Sequence, residues 1–419
     1  MNKVEYLERT VKADGVDIPV IMMKDPSVEH VLVVGSVAYG ISNEREIESA
    51  HMIEHLIFGG TKKFGKKALQ DAASDLGGSI NGGTWNDFTI YFAMLPDDST
   101  ALGVDLATDL MFSPLMEDME LISIRQPMIG ELGIREGTDS WRALMSFFQA
   151  FYPENGYGYM HPYEARVQSI NTLTAEQLRA NLHKHYVPEN MSFFAGGNFD
   201  ESELCDMLGE AAQTKFRRVA SDAKPLRTYS DPVYRHLVTK GDFRSEYIAL
   251  GFKAPDSNTL DIYPMKILDY VLAGTLGAII PFRMREEEHL SYGTESMNMI
   301  SDGHGVFFIR ADVPKGETDR AQGIILEELT KVREEGLSAE ELERAKKALI
   351  GQIRTADGTM TKMFNLRSDY FDSRRLVTPK DIAKQYKAVT TDDIARVAKQ
   401  VIPAEFKPEN YASARLIAE

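Results

Sequence analysis

Leu173-Thr174-Ala175-Glu176-Gln177-Leu178, running on to Tyr186-Val187-Pro188, returns later in the chain as Val389-Thr390-Thr391-Asp392-Asp393-Ile394, running on to Val401-Ile402-Pro403. The stretch from Thr174 to Pro188 is one position longer than that from Thr390 to Pro403. In each copy a hydroxyl is placed to cap a backbone N–H three residues on, with a polar side chain placed to answer it, which starts a helix. Ser338 with Glu341 signals a third such start. The offset from Thr174 to Thr390 is about half the chain, far too long for a solenoid repeat, and fits two copies of one domain.

Elements outward from these helices repeat as well. Val31–Val37 and Tyr247–Phe252 are short apolar, β-branched or aromatic runs with turn residues beyond, and read as strands. Leu102, Leu106 and Leu110 recur at helical spacing in the first half, as do Ile267, Leu268, Val271 and Leu272 in the second. Between the halves, Lys215 to Val233 gathers Arg217, Arg218, Lys224, Pro225, Arg227 and Pro232 among few apolar residues, and reads as an exposed linker. The predicted organisation is an α+β fold of two duplicated domains, residues 1–214 and 234–419, joined by a linker over 215–233.

The chain has 419 residues, 43% of them hydrophobic and 26% charged, which excludes a disordered or fibrous polypeptide. No apolar run approaches the ~18 residues of a membrane span, and Met1–Tyr6 lacks the apolar core of a secretory signal. A single cysteine, Cys205, rules out an internal disulfide and a cysteine-rich metal cluster. These features predict a cytoplasmic protein with no membrane partner. Sixty-three acidic against 47 basic residues give a net charge of −16, which opposes binding to nucleic acid.

The segment with the most specific chemistry is Ser49-Ala50-His51-Met52-Ile53-Glu54-His55-Leu56-Ile57-Phe58. At about 100° per residue on a helix, His51, Glu54 and His55 share an arc of about 100°, with Met52, Ile53, Leu56 and Ile57 around the rest. Two imidazoles one turn apart can ligate one zinc ion, and the glutamate between them can hold a water on it. H-x-x-E-H is the inverted form of the H-E-x-x-H metallopeptidase pattern.

The run His51 to Thr61 resembles the motif of the pitrilysin and insulin-degrading enzyme family, which includes the mitochondrial processing peptidases. In that family the third zinc ligand is a glutamate at a characteristic distance past the second histidine. That spacing, counted from His55, falls on Glu131, in Pro127-Met128-Ile129-Gly130-Glu131-Leu132. Leu76-Gly77-Gly78-Ser79-Ile80-Asn81-Gly82, followed by Thr84, Asp87, Thr89 and Tyr91, is similar to the family's substrate-pairing strand. Arg285-Glu286-Glu287-Glu288-His289-Leu290-Ser291-Tyr292 is similar to the family stretch whose arginine and tyrosine reach the substrate carbonyl.

The resemblance implies a zinc endopeptidase with one zinc ion per chain. His51, His55 and Glu131 are the implied ligands and Glu54 the base. Arg285 and Tyr292 are implied at the oxyanion, and Asn81 and Gly82 on the substrate backbone. It also implies antiparallel sheets covered by helices, and a clamshell chamber taking peptides or unfolded segments. In two-chain relatives the zinc motif and the Arg/Tyr pair lie on different subunits. This chain carries both, so a homodimer is expected, with a monomer closing on itself as the alternative; for the function the alternatives are a non-catalytic scaffold or assembly subunit and one subunit of a heterodimeric processing peptidase. Two positions depart from the family. Ile124 replaces a frequent second glutamate, so another carboxylate such as Glu120 substitutes for it or zinc is held less tightly. His289 stands where the family has glycine, so a different local turn is expected.

Overall fold

The computed structural model describes residues 4–154, 158–219, 231–291, 293–301 and 303–419. Its chain divides into two compact units. One takes residues 1–133, 161–227 and 357–368, and the other residues 134–160, 228–356 and 369–419.

The first unit holds a six-stranded sheet of β1 (Glu5–Ala13), β2 (Val16–Lys24), β3 (His30–Val37), β4 (Ser79–Thr84), β5 (Thr89–Pro96) and β6 (Met191–Gly197), in the order β1-β2-β6-β3-β5-β4. The second holds β7 (His236–Gly241), β8 (Glu246–Lys253), β9 (Thr294–Ser301), β10 (His304–Val313) and β11 (Ala412–Ala418), in the order β7-β11-β8-β10-β9. Both sheets are antiparallel except for one pair, β2 with β6 and β7 with β11. With β1 set aside, the two orders superimpose strand for strand. The last strand inserts between the first two in each, and β3 and β8 start at His30 and Glu246, the same offset that separates Thr174 from Thr390. The capping boxes expected at Thr174, Ser338 and Thr390 all form. A duplicated domain accounts for these agreements together.

Strand sequences explain which face meets what. Side chains alternate along a strand, so a strand covered on both faces is apolar throughout. In β3, Val31, Val33 and Val37 enter the main core of the first unit, with the helices Ser49–Ile57 and Thr100–Phe112. Val34 points the other way. There it lines a small cavity with Ile90, Phe194, Met363, Phe364 and Arg367, the last three from the helix Thr359–Ser373. In β10, Phe307, Ile309 and Ala311 face one core of the second unit, while Val306 and Phe308 face another.

That second core departs from the division at 1–214 and 234–419. The helix Asp139–Phe151 carries Phe147, Phe148 and Phe151, with Tyr152 after it, and packs them on Ala249, Phe308 and Ala412. A β-carbon at Gly251 would lie 2.2 Å from the Phe147 ring, so the strand needs glycine there. The helix Asp139–Phe151 thus covers the far face of the second sheet, and Met363, Phe364 and Arg367 lie on that of the first. Lys215, at the start of the expected linker, instead ends the helix Glu201–Lys215 and holds Asp109 at 2.6 Å. Residues 220–230 of that linker lie outside the described residues.

Phe147 is fully buried, so Phe147→Ala should cost about 3–5 kcal/mol, the transfer energy plus the cavity it leaves. The two tryptophans fall one in each unit, Trp85 and Trp141. Urea unfolding read from Trp141 fluorescence in a Trp85→Phe background checks it. A loss below about 1 kcal/mol contradicts this packing.

Candidate metal centre

The helix Ser49–Ile57 is short, and its apolar residues hold it in place: Met52, Ile53, Leu56 and Ile57 are fully buried. Its start has no side-chain cap from the adjacent residue. Instead the Glu44 carboxylate accepts from the backbone N–H of Glu48 at 2.7 Å and of Ala50 at 3.0 Å. Glu48 has φ of 67°, a left-handed conformation that costs a non-glycine residue roughly 1 kcal/mol. Burial, with the charge of Glu48, holds the Glu44 carboxyl well above its usual pKa.

The polar stripe faces one point. His51 Nε2 and His55 Nε2 are 3.2 Å apart, and Glu131 Oε2 lies 3.7 Å from the first and 3.5 Å from the second. Glu131 comes from the C-terminal third of the helix Asp118–Glu136, so packing within one unit returns it to a helix much earlier in the chain. Ligand bonds of about 2.0–2.2 Å in a tetrahedron place donor atoms about 3.3–3.6 Å apart. The three observed separations lie close to that range, and two imidazole nitrogens with a carboxylate oxygen are a zinc donor set. The residues therefore fit a zinc ion. Glu54 belongs to the same cluster, with a carboxylate oxygen within 4.8 Å of a ring nitrogen of each histidine.

Glu54 is 8% exposed and points its carboxylate at the sheet edge. A β-carbon on Gly82 would sit 3.1 Å from Glu54 Oε1, so the Glu54 carboxylate lies against β4. That strand ends its sheet and pairs with β5 alone among the described residues. Asn81 lies on this edge rather than in a turn, and its side-chain oxygen accepts from the Gly82 N–H at 2.8 Å. The sequence-predicted ligands, base and edge residues are thus gathered in one unit.

Charge around the stripe favours a cation. Burial works to lower the pKa of His55, yet its hydrogen bond to Glu131 and the charges of Glu54 and Glu131 raise it above the ordinary value. Burial also opposes ionisation of Glu48, but His51 and Arg166 outweigh it and lower its pKa. Nearby, burial and the charge of Lys184 bring His185 down to about 4, which keeps the ring neutral where it stacks on Tyr39 at 4.0 Å.

Other expected residues stand elsewhere. Arg285 is in the second unit, on the turn Arg283–Glu287, with its guanidinium 3.2 Å from Glu286. Tyr292 lies outside the described residues. Ile124 packs in the first core, and Glu120 is tied to Lys66 at 2.5 Å and Ser123 at 2.9 Å. The carboxylate beside a ligand is instead Glu48, whose Oε2 is 2.9 Å from His51 Nδ1 and whose Oε1 accepts from Arg166. Sequence reading missed both. Glu48 precedes the helix, where a glutamate reads as a solvated charge, and Arg166, far along the chain from it, left no signal. His289 takes φ of 50°, a left-handed backbone that glycine adopts more easily.

Residues 20–134 match the family model described as insulinase (peptidase family M16), and residues 172–349 match the one described as peptidase M16 inactive domain. An uncharacterized zinc protease of Bacillus subtilis is 21% identical over 394 residues, covering 93% of this chain and 94% of its own. One from Streptomyces coelicolor is 24% identical, covering 84% and 78%. Among solved structures, a protease from Helicobacter pylori superimposes with a TM-score of 0.87 at 20% identity, covering 99% of both chains. The peptidase M16 inactive domain of Pseudomonas fluorescens does so at 0.85 and 15%, covering 99% of this chain and 98% of its own. These two likenesses establish the fold.

Proposed function

Because this chain belongs to the M16 peptidase family, we propose that it is a zinc endopeptidase acting on peptides or unfolded segments. The observation that carries the reading is the convergence of His51 Nε2, His55 Nε2 and Glu131 Oε2 beside Glu54. Bound zinc would polarise the scissile carbonyl and bring the pKa of its water to about 7. Glu54 takes the proton of the attacking water on a carboxylate oxygen and passes it to the leaving amine. The open edge of β4 holds an extended peptide as an added strand, with Asn81 and Gly82 at its backbone. Gly82 keeps that strand close to the base, since a side chain there would crowd Glu54. Arg285 and Tyr292 donate hydrogen bonds to the oxyanion.

Digestion of a mixed peptide library, followed by mass spectrometry, tests the reading. New termini should appear, vanish when zinc is chelated, and return when zinc is restored. A zinc-loaded protein that leaves every peptide intact contradicts it.

We further propose a homodimer in which Arg285 and Tyr292 of one copy complete the site of the other. Mixing His51→Ala and Arg285→Ala proteins then builds one intact site per mixed dimer. Random exchange makes half the dimers mixed, so roughly a quarter of full activity should return. No recovery, with exchange verified by mass, contradicts the shared site.

A further inference from the structure

The centre has a support that the expected ligand set does not include. His51 turns its Nε2 toward His55 and Glu131, and its other nitrogen, Nδ1, meets Glu48 Oε2 at 2.9 Å. An ionised carboxylate only accepts hydrogen bonds, so that contact requires a proton on Nδ1, and in the neutral ring Nε2 then carries the lone pair. Glu48 cannot swing away. Its other oxygen accepts from Arg166, and its backbone N–H is held by Glu44. The residue is 2% exposed, and Arg166 belongs to the helix Tyr163–Thr172, whose Ser169 also binds the Ile47 carbonyl at 2.5 Å. Glu48 also keeps a backbone conformation that glycine would adopt more easily, which is hard to explain if the position served only to start the helix.

We infer that Glu48, clamped by Arg166, is a positioning residue that fixes His51 with Nδ1 protonated and Nε2 turned to the metal. A metal-bound imidazole whose outer N–H meets a carboxylate is a stronger ligand, and loss of such a partner typically weakens metal binding by about 10–100-fold. The inference rests on the zinc reading but makes no use of peptide cleavage.

Glu48→Gly separates the two roles the residue could have. Glycine suits a φ of 67° but leaves the nearly buried Arg166 guanidinium without Glu48, so some loss of stability is expected whatever the role of the residue. What separates the roles is the zinc affinity of the folded variant, measured by competition with a chromophoric chelator, which should fall about 10–100-fold. Nitrogen-15 spectra of the metal-free proteins should place the His51 proton on Nδ1 in the wild type and divide it between the two nitrogens in the variant. Should Glu48→Gly fail to fold, Glu48→Gln keeps the size but sets an amide against Arg166, and is read for the same loss. Wild-type affinity in the folded variant, or a wild-type His51 protonated on Nε2, overturns the inference. A protein that binds zinc with the expected His51 proton but cleaves no peptide contradicts the peptidase reading alone. A wild type that binds no zinc overturns both.

Discussion

Glu54→Gln protein should keep its zinc and cleave peptides at least about 100-fold more slowly, the lower range for loss of a positioned general base. Glutamine has nearly the same shape, and Glu54 is 8% exposed between its helix and Gly82, so the replacement fits. An amide does not take up a proton at neutral pH, so the attacking water keeps its own. The three converging ligand atoms belong to other residues. Loss of the Glu54 charge also removes one influence that favours the protonated form of His55, so zinc binding is not weakened on that account. Metal content by atomic absorption, alongside the rate of peptide hydrolysis, checks both halves. Wild-type turnover in Glu54→Gln means that another group is the base.

Glu131→Ala gives the complementary result. It removes one of three protein ligands, so zinc itself should be lost, by about 100-fold or more in affinity, beyond the roughly 10–100-fold for an outer partner. Glu131 is about a third exposed, so the fold should tolerate the change and unfold near the wild-type temperature. Dialysis against a weak chelator followed by metal analysis reads the loss. Full occupancy in Glu131→Ala would mean that another carboxylate is the ligand. Glu120 is already engaged by Lys66 and Ser123, and Glu120→Ala should retain zinc.

Local chemistry was legible in the sequence. The capping threonines at 174 and 390 need only residues three positions on, and their helices begin where expected. His51, Glu54 and His55 share a face because helical spacing puts them there, and the helix forms over 49–57. Glu131 needed the family spacing, since nothing within its own helix singles it out. Where the structure went further, the cause was distant packing. The aromatic cluster from Phe147 to Tyr152 announces a buried helix face, but its own residues do not say which sheet it covers. Parallel pairing of β2 with β6 likewise joins Val20 to Phe193, and no local pattern in either strand names the other. Glu48 was hidden differently. A glutamate before a helix reads as a solvated charge, and only Arg166 and a left-handed backbone turn it inward.

Anomalous scattering from zinc-saturated crystals, collected on both sides of the zinc absorption edge, tests the metal centre most directly. One strong peak per chain is expected, about 2.0–2.2 Å from His51 Nε2, His55 Nε2 and a Glu131 carboxylate oxygen. A peak bound without Glu131, or no peak between the two histidines, would contradict it.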